Sequence, residues 1–200
     1  MVPSIARDAG DATPENAPQK ALLRRSLLAT RQAVDAVTRH RWDAELCQRV
    51  IAWATLWGDA NPGCSLGVYW PMREEPDLRP AYAALAAHGM QLALPVVSDK
   101  ESPLQFVVWT PDDAMVKDIC GVPIPASAVA TAPLALLVPC VGFNRQRTRL
   151  GYGGGFYDRT LALHPRPTTV GIAYSCGLAE FDAAPHDIPL DAIITETISF

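Results

Sequence analysis

The residues best suited to chemistry lie in one stretch, Arg149 to Arg159, which reads RLGYGGGFYDR. Its four glycines, Gly151, Gly153, Gly154 and Gly155, fall within five positions, flanked by Arg149, Asp158 and Arg159. Glycine weakens helices and strands, so such a run persists where backbone must approach a ligand closely or adopt positive φ. An apolar, strand-like run precedes it (Leu134 to Pro139), and a helix-like run follows (Phe156 to Leu163). A strand, a glycine loop and a helix start leave backbone N–H groups pointing at an anion. Arg149 adds fixed positive charge, and Asp158 could hold a metal that neutralises phosphate. The loop reads as a phosphate-handling element of an enzyme. Turn chemistry alone explains one or two glycines in a strand-to-helix connection, not four with flanking charges.

Neither common nucleotide fingerprint is present. The P-loop ends in Gly-Lys-Ser/Thr, and that triplet does not occur. The dinucleotide fingerprint needs a third glycine where Phe156 stands. A basic cluster, Arg145, Arg147 and Arg149, lies at the entry to the loop.

The elements that must position this loop follow from hydrophobic spacing. Residues 1–18 lack periodicity and read as a disordered lead-in; residues 19–200 read as a single domain. A helix is expected from Gln19 to about Val34, and a second from Thr38 to Leu56 with Gly58 as its stop. The stripe Trp42, Trp53 and Trp57 on the second helix predicts core packing, not a ligand box. Strands are expected at Ser65 to Trp70, Met90 to Val97, Leu104 to Trp109, Leu134 to Pro139, Thr168 to Tyr174, and around Ile193 and Ile194. An alanine-rich helix, Leu78 to His88, lies between the first two, closed by Gly89, and Val122 to Pro125 reads as a proline-rich connection. Strands alternating with helices predict an α/β fold: a three-layer, Rossmann-like arrangement with a mostly parallel central sheet and helices on both faces. Ligands in such sheets bind beyond the carboxyl ends of the strands, where Pro71 to Glu75 and Gly142 to Gly155 would lie.

Composition narrows the function. Hydrophobic content of 49% and charge of 19% suit a globular protein, and a net charge of −4 gives no reason to expect nucleic acid or membrane as a partner. Five scattered cysteines without a CxxC pair fit a reducing, cytoplasmic compartment and argue against a disulfide framework or structural zinc. No apolar run reaches transmembrane length, and the N-terminus lacks the apolar core of a signal peptide.

Four separated pieces resemble the 5-formyltetrahydrofolate cyclo-ligase (5,10-methenyltetrahydrofolate synthetase) family: KALLR from Lys20, YWPMREEPD from Tyr69, VPCVGFNRQRTRLGYGGGFYDR from Val138 and PHDIPLDAIITE from Pro185. The third piece is specific; the first is common on any helix. The resemblance implies ATP-dependent ring closure. The formyl oxygen of 5-formyltetrahydrofolate takes the γ-phosphoryl group of ATP to give an iminium phosphate. The second folate nitrogen attacks that carbon, and phosphate leaves, yielding 5,10-methenyltetrahydrofolate, ADP and phosphate. Phosphorylation converts a poor oxygen leaving group into a good one, after which positioning and charge stabilisation suffice.

The resemblance also implies roles. ATP-binding positions are Lys20, Ala21, Leu22, Leu23 and Arg24, together with Arg149, Leu150, Gly151, Tyr152, Gly153, Gly154, Gly155, Phe156 and Tyr157. Lys20 and Arg24 are four apart and share a helix face, which alone fits a solvated face equally well. Folate-binding positions are Tyr69, Glu74, Tyr152, Gly153, Gly154, Gly155 and Phe156; Glu75, beside Glu74, offers the same carboxylate one position on. Arg149 and Asp158 match catalytic positions, and Asp158 and Asp187 match magnesium positions. Taken alone, Asp158 would equally serve a helix N-terminus and Asp187 a turn. The expected co-substrate and ion are ATP and Mg²⁺, the expected partner is the folate, with a polyglutamate tail or without, and the expected state is a monomer. Two departures from the family pattern, Asn144 and Arg147, predict an altered turn before Arg149, because arginine tolerates positive φ poorly. Two other classes fit the loop by itself: a sugar-phosphate isomerase or CoA-transferase-like enzyme, and a non-catalytic module for folate or nucleotide.

Overall fold

The computed structural model describes residues 16–184 and 187–199. Helix α1 (Asn16–Ala33) begins three residues earlier than Gln19, and its buried side chains are Lys20 and Arg31. Helix α2 (Ala36–Ala60) is capped by Asp35, whose carboxylate accepts from the Thr38 N–H at 2.9 Å. Its inner face is Leu46, Val50 and Ala54 at helical spacing, and Trp42, Trp53 and Trp57 pack against the core margin as the stripe predicts. Gly58 does not end α2. The helix runs on to Ala60, and Gly58 serves close packing instead, since a Cβ there would lie 2.7 Å from the Met90 methyl.

Strand β1 (Ser65–Gly67) leads through helix α3 (Arg79–Ala87) to β2 (Gln91–Val96) and β3 (Gln105–Trp109). Then come β4 (Met115–Lys117), β5 (Pro123–Pro125), β6 (Ala130–Thr131) and β7 (Ala135–Pro139). A short hairpin, β8 (Gly142–Phe143) and β9 (Arg149–Leu150), precedes helix α4 (Phe156–Leu161), β10 (Thr168–Ile172) and β11 (Ala192–Ile194). Val122 to Pro125, expected as a connection, pairs as β5 with β4. The central sheet has seven strands in the order β11-β10-β7-β1-β2-β3-β6. Strands β11 through β2 are parallel; β3 and β6 join antiparallel at one edge.

Residues alternate between two cores, as a sheet buried on both faces requires. Leu92, Leu94, Ala135 and Leu137 meet α2 and α3 on one face, while Ala93, Leu136 and Val138 meet α4 on the other. The chain moves from β1 outward to β2, then crosses back to β7 on the far side of β1 and continues to β10 and β11. Right-handed crossovers running in opposite directions place their helices on opposite faces, and a crevice opens between β1 and β7 at their carboxyl ends.

The β8–β9 hairpin holds Arg149 in place. Asn144, 2% exposed, accepts from the Thr148 N–H through Oδ1 at 2.9 Å and donates through Nδ2 to the Phe181 carbonyl at 3.1 Å. Arg147 adopts φ 63°, and its carbonyl accepts from the Leu190 N–H at 3.0 Å. The altered turn expected there is therefore a left-handed turn carried by arginine, with Asn144 knitting the hairpin to the segment after Leu178. Arg147→Gly should stabilise the fold by about 1 kcal/mol by relieving the left-handed strain, and Asn144→Ala should destabilise it by about 1–3 kcal/mol. Urea unfolding of the two variants checks both signs.

Candidate active site

The crevice is a cleft of about 1210 Å³ at the carboxyl ends of β1, β2 and β7. One wall is cationic. Lys20 and Arg24 project from one face of α1, and Arg149 comes from β9; all three line the cleft. Each is already engaged. Lys20 Nζ donates to Asp187 Oδ2 at 2.5 Å, and the same oxygen accepts from the Ala184 N–H at 2.8 Å. Arg24 Nε donates to the Gly151 carbonyl at 2.8 Å. Arg149 Nη2 donates to Asp158 Oδ1 at 2.9 Å, and its guanidinium lies over the Tyr157 ring with 5.2 Å to the centroid.

The glycines make this wall possible. Gly153 and Gly155 sit at φ 93° and 68°, a region closed to most side chains. At Gly151 the need is space: a Cβ there would lie 2.2 Å from Arg149 Nη1. A side chain at position 151 would have to share the space that the Arg149 guanidinium occupies.

The facing wall is built on the loop after β1. Tyr69 is 2% exposed, and its hydroxyl donates to the Pro76 carbonyl at 2.8 Å, which closes that loop. Arg73 and Glu74 follow at φ 50° and 60°. This double left-handed turn sends Glu74 outward to an ion pair with Arg39 of α2 and directs Glu75 inward. Glu75 is 6% exposed; its carboxylate accepts from Tyr152 Oη at 2.7 Å and from the Met72 N–H at 2.8 Å. Burial pushes the Glu75 carboxyl above its ordinary value, opposed by the Tyr152 hydrogen bond and by Arg31 and Arg73. Burial and the nearby Glu75 push the Tyr152 phenol up as well. Trp70 extends the wall, and Pro95, Val97, Leu104, Val122 and Phe156 make an apolar arm.

A model of the 5-formyltetrahydrofolate cyclo-ligase family matches residues 16–196. The chain belongs to that family. The Escherichia coli K12 cyclo-ligase is 33% identical over 140 residues, 66% of this chain and 77% of that protein. A Mycoplasma pneumoniae cyclo-ligase is 48% identical over a shorter match of 61 residues, 30% of this chain and 37% of that protein. Two solved 5,10-methenyltetrahydrofolate synthetases share the architecture at 27% identity. The one from Aquifex aeolicus has a TM-score of 0.72, covering 90% of this chain and 91% of that one. The one from Mycoplasma pneumoniae has a TM-score of 0.69, covering 88% and 98%.

Within the cleft the structure gathers Lys20, Arg24, Tyr69, Asp158, Asp187 and the whole run from Arg149 to Tyr157. Four expected positions fall elsewhere among the described residues. Ala21 and Leu22 are exposed, the latter at 65%, and Leu23 lines a separate depression, because helical rotation turns all three off the Lys20–Arg24 face. Glu74 lies outside for the backbone reason given, and Glu75 takes its place. Sequence reasoning also passed over Arg31, although it continues the Lys20–Arg24 face three turns on. His186 lies outside the described residues.

The donor set of the cleft suits a hard cation shared with phosphate. Asp158 and Asp187 are oxygen donors on one cleft, and Mg²⁺ takes one or two carboxylates with water and phosphate oxygens. Among the described residues no group of three His, Cys, Asp or Glu could hold a metal unaided. A cation held here would take its remaining ligands from water or phosphate. Gly151→Ala is expected to leave the urea midpoint near wild type while displacing Arg149 and lowering turnover about tenfold or more, the scale of one charged hydrogen bond. Unchanged turnover in a folded Gly151→Ala protein would show that Arg149 has another route to the cleft.

Proposed function

We propose that this protein closes the ring of 5-formyltetrahydrofolate to 5,10-methenyltetrahydrofolate at the expense of ATP, with Mg²⁺ on the phosphates. One observation carries the reading: a single cleft, larger than one ligand requires, has a wall of three cations facing a wall with one buried carboxylate. A polyphosphate suits the first and an aminopyrimidine edge, which donates hydrogen bonds, suits the second. Family membership supplies the class of reaction.

On this reading Lys20, Arg24 and Arg149 hold the phosphates and draw charge from the γ-phosphoryl group as the formyl oxygen attacks it. A metal held by Asp158 and Asp187 would neutralise charge on the phosphate oxygens. Glu75 accepts from the pterin edge, and Tyr152 with Phe156 borders the folate, so the formyl carbon faces the glycine loop. The second folate nitrogen then attacks the activated carbon and phosphate departs. Positioning and charge compensation do most of the work, since the leaving group has been made good beforehand. All groups come from one chain, so a monomer is sufficient, and the five free cysteines suit a reducing cytoplasm. No described helix is long and apolar enough to cross a membrane.

The test is absorbance at the methenyl-folate band with 5-formyltetrahydrofolate, ATP and Mg²⁺, each omitted in turn. A rise that needs all three supports the proposal. A folded protein that binds phosphate but gives no folate-dependent rise would sink it and favour a sugar-phosphate reaction. Asp158→Ala should remain folded and lose most turnover, about a hundredfold or more; near-wild-type turnover would remove Asp158 from the metal and from the Arg149 pair.

A further inference from the structure

Arg31 lies behind both walls and does not line the cleft. It is 4% exposed, on α1, eleven residues after Lys20 and so on the same helix face. Its Nη2 donates to Tyr152 Oη at 2.6 Å and to the Arg73 carbonyl at 2.8 Å. Tyr152 Oη in turn donates to Glu75 Oε1 at 2.7 Å. The Tyr152 ring is flanked by two guanidinium groups, Arg31 at 5.8 Å and Arg73 at 5.3 Å from the centroid. One buried cation thus touches the glycine loop through Tyr152 and the loop after β1 through Arg73, and reaches Glu75 through one hydroxyl.

We infer that Arg31 is a positioning residue for folate: through Tyr152 it fixes the Glu75 carboxylate in place against the glycine loop. This rests on the cyclo-ligase reading of the cleft. The geometry favours positioning over plain structural support. A residue needed only to dock α1 would gain most from a carboxylate partner. Arg31 instead spends its hydrogen bonds on a phenol and a carbonyl, and its Nε and Nη1 have no hydrogen-bond partner among the described residues. Its charge is left to act on Glu75 through a polarised O–H, and hydrogen bonds in such a chain strengthen one another.

The arrangement also sets which state Glu75 occupies. Facing it are Arg31 from α1, Tyr152 from the glycine loop and Arg73 from its own loop, with Tyr69, Tyr82, Tyr157 and Cys140 as further titratable neighbours. Burial disfavours the ionised carboxylate, and the two arginines and the Tyr152 hydroxyl oppose that. Removing the Arg31 charge should move the proton onto Glu75 at higher pH and cost it the acceptor that a pterin edge requires.

The experiment compares wild type with Arg31→Lys, Arg31→Gln, Tyr152→Phe and the double variant Arg31→Gln with Tyr152→Phe. Binding of 5-formyltetrahydrofolate is read without nucleotide from quenching of tryptophan fluorescence, since Trp70 lines the cleft. KM for each substrate is read across the acid range. Arg31→Gln and Tyr152→Phe should each weaken folate binding about tenfold, leave KM for ATP within about twofold, and move the acid limb for folate upward, whereas Arg31→Lys, which keeps the charge, should leave the acid limb near that of wild type. The double variant should be no worse than the weaker single one, because both interrupt the same chain. Should the Arg31 variants fail to fold, Tyr152→Phe, which deletes one oxygen, still decides the matter by its folate affinity and acid limb. Folded Arg31→Gln or Tyr152→Phe proteins with a lower melting temperature but wild-type folate affinity and an unmoved acid limb would overturn the inference, as would additive losses in the double variant. A wild-type protein that bound no folate would overturn the cyclo-ligase reading, and this inference with it.

Discussion

Most of this molecule depends on the point where the chain reverses its direction across the sheet. Strands β1 and β7 are parallel neighbours, yet the crossover from one leads outward to β2 and the crossover from the other to β10. Their helices therefore lie on opposite faces, and the two loops that leave the strand ends have no helix between them. Those loops must satisfy their own backbone and hold their own shape. The loop after β1 does so with the Tyr69 hydroxyl on Pro76 and two left-handed residues. The loop after β7 does so with the β8–β9 hairpin and Asn144. Joined by Tyr152 and Glu75, they define the cleft.

Two cations of the cleft stand in opposite pairs, Lys20 with Asp187 and Arg149 with Asp158, and Arg31 behind it acts on Glu75 through Tyr152. An unpaired ion in so buried a place would be costly, and pairing avoids that cost before any ligand arrives. On the function proposed above, an incoming polyphosphate competes for the cations and leaves the two aspartates to a metal. Partner exchange of this kind keeps charge compensated at each stage. Hence the cleft can be both buried and highly charged in a protein of modest net charge.

Much of this was legible in sequence, and the failures have physical causes. The glycine loop announced itself because its glycines, arginine and aspartate are contiguous. The long strands and the tryptophan stripe were readable because periodicity is local. The choice between Glu74 and Glu75 was open in the sequence, and the structure turns Glu75 into the cleft, since the turn of Arg73 and Glu74 is set by packing and by hydrogen bonds from distant residues; no residue in REEP is a glycine that would mark a left-handed turn. Gly58 was misread because a helix glycine reports either a terminus or a close neighbour, and Met90 is thirty-two residues away in sequence. The short strands β4, β5, β8 and β9 have two or three residues each, too few for any alternation to register.

The first helix has an unusual way of staying attached. Among its described residues the buried side chains are a lysine and an arginine, and its apolar contribution is the half-buried Leu23, Leu27 and Leu28, with Leu27 set so close to Gly142 that a Cβ there would lie 2.4 Å from its methyl. A helix fastened partly by charged groups holds less firmly when its partners are protonated or screened. The partners of Lys20 and Arg24 are the residues of the cleft, so an anion that binds them would take over part of the attachment. On the function proposed above, ligand occupancy and retention of this helix are then two sides of one equilibrium.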